Sequence, residues 1–182
     1  MIEKVIETDC VVVNLIDTTK RPTSQELALF TRGLLPAVKR WEESLFSKRK
    51  YGLGLKKSMI YQVELTIMFC GRTKIQSLNK SYRQKDKVTD VLSFPLQETL
   101  RPMDPKSNLF GPLIHLGDVV ICKEVAREQS KRLGVTYIEE LRHLFIHGLL
   151  HLVGFDHEIS LKEEELMRDW ETAWLQIFWP KR

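Results

Sequence analysis

The sequence has few cysteines, no long apolar run and no low-complexity segment. The three cysteines among 182 residues, Cys10, Cys70 and Cys122, are odd in number, far apart and embedded in apolar stretches. Neither a disulfide framework nor a thiolate zinc site is expected from such a pattern, and a reducing compartment fits it best. No stretch reaches the roughly 20 apolar residues of a membrane helix, and the first ten residues are too acidic for a secretory signal. We therefore expect a cytoplasmic protein without a membrane partner.

The overall charge is also small. The sequence has 28 Lys and Arg against 24 Asp and Glu, and the resulting net charge of +4 does not by itself indicate nucleic-acid binding. Residues 139–172, however, contain three basic and nine acidic side chains, so the rest of the chain is strongly basic. Cations concentrate in residues 32–57 and 72–87. Such runs are usually solvated faces, but if both clusters flank one cleft they would follow an RNA backbone. No signature of an RNA-recognition motif, KH domain or zinc knuckle is present, so base-specific readout is not expected.

Strand-like and helix-like segments alternate along the chain. Val- and Ile-rich stretches predict strands at 2–16, 60–70, 91–94 and 114–122. Capping-box pairs predict the starts of four helices, at Thr23/Glu26, Thr73/Gln76, Thr136/Glu139 and Ser160/Glu163. A fifth helix covers 123–133, and Gly134 and Gly154 each follow a predicted helix end. The order β-α-β-α-β-β-α-α-α predicts one α/β (α+β) domain with a small mixed sheet and about five helices, most of them late.

Three of the five histidines lie between residues 147 and 157. His147 and His151 are four residues apart on a predicted helix, so both rings share one face and could bind the same ion. His157 reaches that ion only if the chain turns after the helix, and Gly154 is suited to the left-handed conformation that such a turn requires. Three protein ligands leave a fourth tetrahedral position for water, as in catalytic sites. We predict one zinc ion per chain, although imidazole ligands also suit copper, nickel or iron.

The other two histidines are expected to lie outside this ligand set. His143 and His151 are about 12 Å apart along a helix axis, too far to share one ion easily, so His143 supports a ligand or is unrelated, and His115 likewise. The histidine spacing is that of the metzincin peptidases, which carry a Glu general base directly after the first His. Here that position is Gly148, which leaves peptide hydrolysis a minority interpretation.

Three blocks of the sequence resemble the YbeY endoribonuclease family. They are SLNKSYRQKDKVTDVLSFP at 77–95, LGDVVIC at 116–122 and HGLLHLVGFDH at 147–157. The family has Gly or another small residue after its first ligand histidine, so Gly148 is expected. The resemblance implies a single domain over 1–182, in which His147, His151 and His157 are the metal ligands and Arg83 is a functionally important arginine near the metal. Four further residues match motif positions to which no individual role is assigned: Thr89, Asp90, Ser93 and Asp118.

The same resemblance implies a zinc-dependent endoribonuclease specific for single-stranded RNA. The enzyme would act in rRNA maturation, at the 3′ end of the small-subunit rRNA, and in ribosome quality control. Its partners would be the small ribosomal subunit and its proteins, together with a ribosome-associated GTPase. The chemistry agrees, because phosphodiester cleavage gathers negative charge that a metal ion and the planar fork of Arg83 would offset. The sequence does not identify the general base, since either water or the RNA 2′-hydroxyl could be the nucleophile.

The sequence also allows other interpretations. Arg83 could instead pair with Asp86 at a helix end. The protein could be a non-catalytic ribosome-assembly factor in which the metal stabilises the turn at Gly154. A metalloprotease with another base is a further alternative, as is a plain RNA-binding module, against which the three histidines count.

Overall fold

In the part of the chain that the structure describes, a five-stranded mixed sheet and five helices make up the fold. The computed structural model describes residues 1–19, 25–102 and 111–180. The elements follow in the order β1 (Ile2–Glu7), β2 (Val11–Asp17), α1 (Gln25–Phe46), β3 (Gln62–Cys70), α2 (Arg72–Arg83), β4 (Val91–Pro95), β5 (Leu113–Cys122), α3 (Lys123–Leu133), α4 (Tyr137–Leu152) and α5 (Leu161–Phe178). A single 3-10 turn, Lys57–Met59, precedes β3. This confirms the predicted α+β class and the number of helices.

The strand order in the sheet is β1-β2-β3-β5-β4. The central strands β2, β3 and β5 are parallel, whereas the edge strands β1 and β4 run antiparallel to their neighbours. Side chains alternate between the two faces, as a pleated strand requires. One face contributes Val119 and Ile121 of β5 to the main core, whose helical residues come chiefly from α1, α4 and α5. The opposite face contributes Val120 and Cys122 to a smaller core that Ile75 of α2 covers.

This arrangement places α2 and α4 on opposite faces of the sheet at its β4 edge. Both helices contact β4 and β5, α4 from the main-core side and α2 from the other. The residues that precede the two helices differ: α4 follows the long apolar strand β5 and helix α3, and α2 follows β3 after a single glycine. Because α2 and α4 contact β4 from opposite faces of the sheet, this strand lies between the end of α2 and the histidine-bearing half of α4.

Two local predictions were wrong. The β-rich segment 2–16 is a hairpin, in which the Thr8 N–H donates to the Val11 carbonyl, and not one strand. Helix α2 begins at Arg72 after Gly71, without a side-chain cap, so the Thr73/Gln76 pair does not form a capping box. The predicted cap at residues 23 and 26 lies outside the described part of the chain.

Two other helix starts are confirmed. Thr136 and Glu139 form a reciprocal capping box at α4, and the Ser160 side chain accepts a hydrogen bond from the Glu163 N–H at α5. Gly134 ends α3 in the left-handed conformation, as predicted. Among the residues described, none of the helices combines the length and the apolar composition that crossing a bilayer requires.

Candidate metal centre

Helix α4 is buried on most of its circumference and keeps one partly exposed strip. That strip carries His143, His147 and His151, which are spaced four residues apart and are each half-buried. At this spacing the three side chains rise along one side of the helix. The helix is held by the capping box at its start and by core residues on its other sides. The fold therefore turns the histidine strip toward solvent at the β4 edge of the sheet.

Gly148 allows α4 to lie directly on the sheet. A Cβ atom at this position would be 2.5 Å from Cγ1 of Val119 and 3.1 Å from Oγ of Ser93, so even alanine would force the helix or the strands to move. A glutamate has no room here, and it would point into the sheet and not toward the histidines. The geometry thus opposes a metzincin-type general base after His147.

The turn after α4 is built around Gly154. Its φ of +98° lies in the region that favours glycine, and a Cβ atom would be 2.7 Å from Oγ1 of Thr99. The Gly154 N–H donates to the His151 carbonyl at 3.1 Å, and the Phe155 ring packs on Trp170 at a centroid distance of 4.9 Å. With Phe155 anchored in the core, the following residues fold back toward the helix. This confirms the predicted glycine turn and brings His157 to the other two histidines.

The three histidines converge on one point. One ligand atom from each of His147, His151 and His157 lies within 4.8 Å of the others, so the residues could hold a metal ion. The Nε2 atoms of His147 and His151 are 3.2 Å apart. Two ligands at 2.0–2.1 Å from a tetrahedral ion are separated by about 3.4 Å, so the observed spacing suits such an ion.

The His151 ring is kept unprotonated by its surroundings. Burial, together with the neighbouring rings of His147 and His157, lowers its pKa to about 4. At neutral pH the ring is therefore an uncharged imidazole, which is the form that binds metal ions. The fit of this donor set to a zinc-type site thus rests on both geometry and protonation.

Glu171 of α5 is a member of this site that the sequence did not reveal. Its Oε1 lies 3.1 Å from Nδ1 of His147, and its Oε2 lies 3.3 Å from Nε2 of His143. Burial alone would raise the pKa of Glu171, but the hydrogen bonds with His143 and His147 outweigh it and lower the pKa to about 2. The ionised carboxylate accepts the Nδ1 proton of His147, which leaves Nε2 of that ring for an ion. His143 therefore acts on the site through Glu171 and is not a ligand.

We expect the Glu171→Gln substitution to weaken metal binding by about 10- to 100-fold, because an amide holds the His147 tautomer less firmly than a carboxylate does. Competition with a chromophoric chelator would measure the affinity directly, without reference to activity. Glu165→Gln is the matched control, since Glu165 lies on the same helix and is exposed. Equal metal affinity in the wild type and in Glu171→Gln would contradict this role.

Arg83 is the last residue of α2 and is exposed. Within the described residues it makes no ion pair, because Asp86 is bound by Lys80 at 2.6 Å and by Gln76 at 3.0 Å. The predicted alternative of an Arg83–Asp86 pair is therefore wrong. The neighbouring Tyr82 packs on Phe94 of β4. Phe94 is adjacent to Ser93, against which Gly148 lies on the other face, so Arg83 and His147 approach the same edge strand from opposite sides without a direct hydrogen bond.

The remaining motif positions do not join the histidines. Asp90 binds the Thr89 hydroxyl, the Val91 N–H and the Gln129 amide, which fixes the start of β4. Asp118 is exposed on β5, on the face opposite to α4. His115 is 3.2 Å from Glu64, away from the centre, as the sequence predicts.

The two basic clusters lie on different sides of the centre. In the 32–57 cluster, Arg40 donates to the carbonyl groups of Ile177 and Phe178, and Lys50 pairs with Asp169 at 3.5 Å. Asp169 and Glu171 are two residues apart on α5, so they project from nearly opposite sides of that helix. Helix α5 therefore stands between Lys50 and the histidines, whereas α2, which carries most of the 72–87 cluster, contacts the β4 edge of the sheet.

Comparison with known proteins agrees with this arrangement. Residues 37–178 match the family model described as Endoribonuclease YbeY. A curated relative of that name from Aquifex aeolicus (strain VF5) is 40% identical over 135 residues, covering 74% of this chain and 77% of the relative. Another, from Staphylococcus aureus (strain JH9), is 43% identical over 109 residues, or 60% of this chain and 69% of the relative.

A solved structure has the same fold. The solution structure of TM1509 from Thermotoga maritima superposes with a TM-score of 0.55 at 22% identity, covering 92% of this chain and 89% of that one. The matched range, residues 37–178, spans the three histidines, Arg83 and Glu171. The chain belongs to the Endoribonuclease YbeY family.

Proposed function

We propose that this protein is a zinc-dependent endoribonuclease that cleaves single-stranded RNA during rRNA maturation, at the 3′ end of the small-subunit rRNA, and in ribosome quality control. The observation that carries the proposal is the convergence of His147, His151 and His157 on one point at a partly exposed edge of the fold. The curated relatives that this chain resembles are named endoribonucleases. Together they support a hydrolase whose substrate is RNA.

The residues of the site have separate roles in such a reaction. The three histidines hold the ion, which when bound supplies Lewis-acid chemistry to a water molecule and to the phosphate. Glu171 fixes the ring of His147 through Nδ1. The guanidinium of Arg83, which no carboxylate among the described residues neutralises, offers two parallel N–H donors to the non-bridging oxygens of the scissile phosphate. Half-burial of the histidines restricts the approach of substrate to the solvent side of α4.

The geometry favours RNA over a peptide as substrate. A peptidase of the metzincin type needs a carboxylate base directly after its first histidine, and Gly148 is packed against Val119 and Ser93 where that side chain would begin. A phosphodiester needs cations around its oxygens, and Arg83 with the neighbouring lysines of the 72–87 segment would supply them.

The direct test is cleavage of a fragment from the 3′ end of the small-subunit rRNA by purified protein, with and without a chelator. We expect the single strand to be cut, the matched duplex to be spared, and chelation to stop the reaction until zinc is restored. A 2′,3′-cyclic phosphate at the new end would identify attack by the 2′-hydroxyl, and a 3′-hydroxyl opposite a 5′-phosphate would identify attack by water. Metal-loaded protein that binds the small subunit tightly without cutting would favour the assembly-factor alternative, and chelator-sensitive cleavage of a peptide library would favour a protease.

The cellular setting is part of the same proposal. The small ribosomal subunit with its proteins and a ribosome-associated GTPase are the proposed partners. A cytoplasmic location suits the three cysteines, which are all buried and unpaired as disulfides.

A further inference from the structure

Tyr82 is an exposed aromatic residue held in a fixed position. Its side chain lies in the last turn of α2 and is 69% exposed. The ring meets Phe94 of β4 in an edge-to-face contact, with a centroid distance of 5.1 Å and an interplanar angle of 68°. Within the described part of the chain its hydroxyl makes no hydrogen bond. The ring is therefore positioned by its apolar contact, while most of its surface faces solvent.

Three cationic residues follow Tyr82 within five positions of the chain. Arg83 follows it directly, and Lys85 and Lys87 are exposed in the next turn. The backbone of that turn is tied to α2, because the Lys85 N–H donates to the Asn79 carbonyl at 3.3 Å and the Asn79 amide donates to the Lys87 carbonyl at 2.8 Å. The cationic side chains thus project from a fixed segment.

Within residues 1–19, 25–102 and 111–180, these cations form no ion pair with an acidic group. Asp86 is the only acidic residue between positions 72 and 87, and Lys80 already pairs with it. Among the described residues, Arg83, Lys85 and Lys87 have no ion pair of their own. We call Tyr82, Arg83, Lys85 and Lys87 the α2-end surface. It combines three uncompensated positive charges with one presented aromatic ring.

We propose that the α2-end surface binds a single strand of RNA, with one base stacked on Tyr82 and adjacent phosphates bound by Lys85 and Lys87. The inference rests on the proposed function for the class of substrate, and it adds the surface and the residue that select a single strand. Unpaired bases can stack on an aromatic side chain, whereas the bases of a duplex already stack on one another and are not available. A purely cationic surface would not make this distinction, because both forms of RNA carry the same phosphates.

The position of the surface relative to the metal centre supports the same strand path. Tyr82 contacts Phe94 of β4. The preceding residue of that strand, Ser93, lies against Gly148, which follows His147 on α4. A strand that passes over the β4 edge would therefore meet the α2-end surface and the histidines in succession. Arg83, the last residue of α2, is the member of this surface that is proposed to bind the scissile phosphate.

The test measures binding by the full-length protein to a fluorescein-labelled single-stranded oligoribonucleotide, in chelator so that the strand stays intact. We expect Tyr82→Ala to raise the dissociation constant about tenfold, because base stacking on an aromatic residue contributes on that order. Tyr82→Phe should keep the wild-type constant. Tyr61→Ala is the matched control, since Tyr61 is 75% exposed and lies outside the surface.

Two further strands separate stacking from charge. An abasic strand of the same length and a duplex should each bind Tyr82→Ala as well as they bind the wild type, because neither offers a base to stack. An unchanged constant for the normal single strand, or an equal loss for normal and abasic strands, would overturn the inference. A wild-type protein that neither binds nor cuts any strand would instead overturn the proposed function itself.

Discussion

Replacing His151 by alanine is expected to remove the bound metal and to abolish RNA cleavage. Four-coordinate structural zinc sites have about 10 to 16 kcal/mol of binding free energy, or about 2.5 to 4 kcal/mol per ligand, so the loss of one histidine should weaken metal binding about a hundred- to a thousandfold. His151 is the informative choice because its Nε2 lies 3.2 Å from Nε2 of His147 and its ring is kept unprotonated by burial. Elemental analysis of the purified variant would measure the metal per chain.

The matched control for this substitution is His115→Ala. His115 is a histidine of the same chain that contacts Glu64 and lies away from the centre, so its variant should keep both metal and cleavage. Full metal content in His151→Ala would contradict the assignment of the ligands. Wild-type protein that binds no metal even after zinc is supplied would remove the basis of the mechanism.

Replacing Arg83 by alanine is expected to leave the metal content unchanged and to lower the rate of cleavage about 10²- to 10³-fold, the usual cost of one donor to a developing oxyanion. The side chain is exposed at the end of α2 and has no ion pair among the described residues, so its removal should cost little folding free energy. Single-turnover kinetics on the rRNA fragment would measure the rate.

Arg83→Lys tests the geometry of the same contact. Lysine restores the charge but not the planar pair of donors, so we expect only a partial recovery of the rate. Arg49→Ala, a substitution of an exposed arginine in the 32–57 cluster, should cleave as the wild type does. Loss of metal in Arg83→Ala would mean that Arg83 supports the fold of the centre, and equal cleavage by the wild type, His151→Ala and Arg83→Ala would reveal a contaminating nuclease.

The convergence of His147, His151 and His157 was predictable because it depends on local geometry. The four-residue spacing of His147 and His151 follows from the helical repeat, and the return of His157 follows from a glycine in a conformation that other residues avoid. The capping box at Thr136 is equally local, since both of its hydrogen bonds form within four residues. Interactions of this kind leave a signal in the sequence that does not depend on the rest of the fold.

Glu171 was not predictable in this way. It lies 24 residues after His147, and its contact with that ring depends on how α5 packs against α4. The only signal is its place beside Trp170 and Trp174, two members of the buried face of α5, which puts a carboxylate at the border of the core. A glutamate in that position needs a partner, but the sequence does not say which element supplies it.

The two wrong predictions of secondary structure have different causes. In the segment 2–16 the polar residues Glu7, Thr8 and Asp9 mark the reversal of the chain, but the Val- and Ile-rich stretches on both sides favour a single strand in the prediction. At α2 the residues at 73 and 76 have the spacing of a capping box, but β3 ends at Cys70 and the helix follows after Gly71 alone. The packing of α2 on β4 and β5 sets its start, and the local spacing does not.

The three histidines lie within eleven consecutive residues, 147 to 157, so their closeness in sequence bears on metal binding by the unfolded chain as well as by the folded one. A denatured chain carries the whole ligand set and needs to close only two short loops to bind an ion, so zinc would also stabilise the denatured ensemble. The metal is thus expected to raise the melting temperature less than it would with ligands from distant strands. The contact between Glu171 and His147 forms only when α5 packs against α4, so this part of the site belongs to the native chain alone.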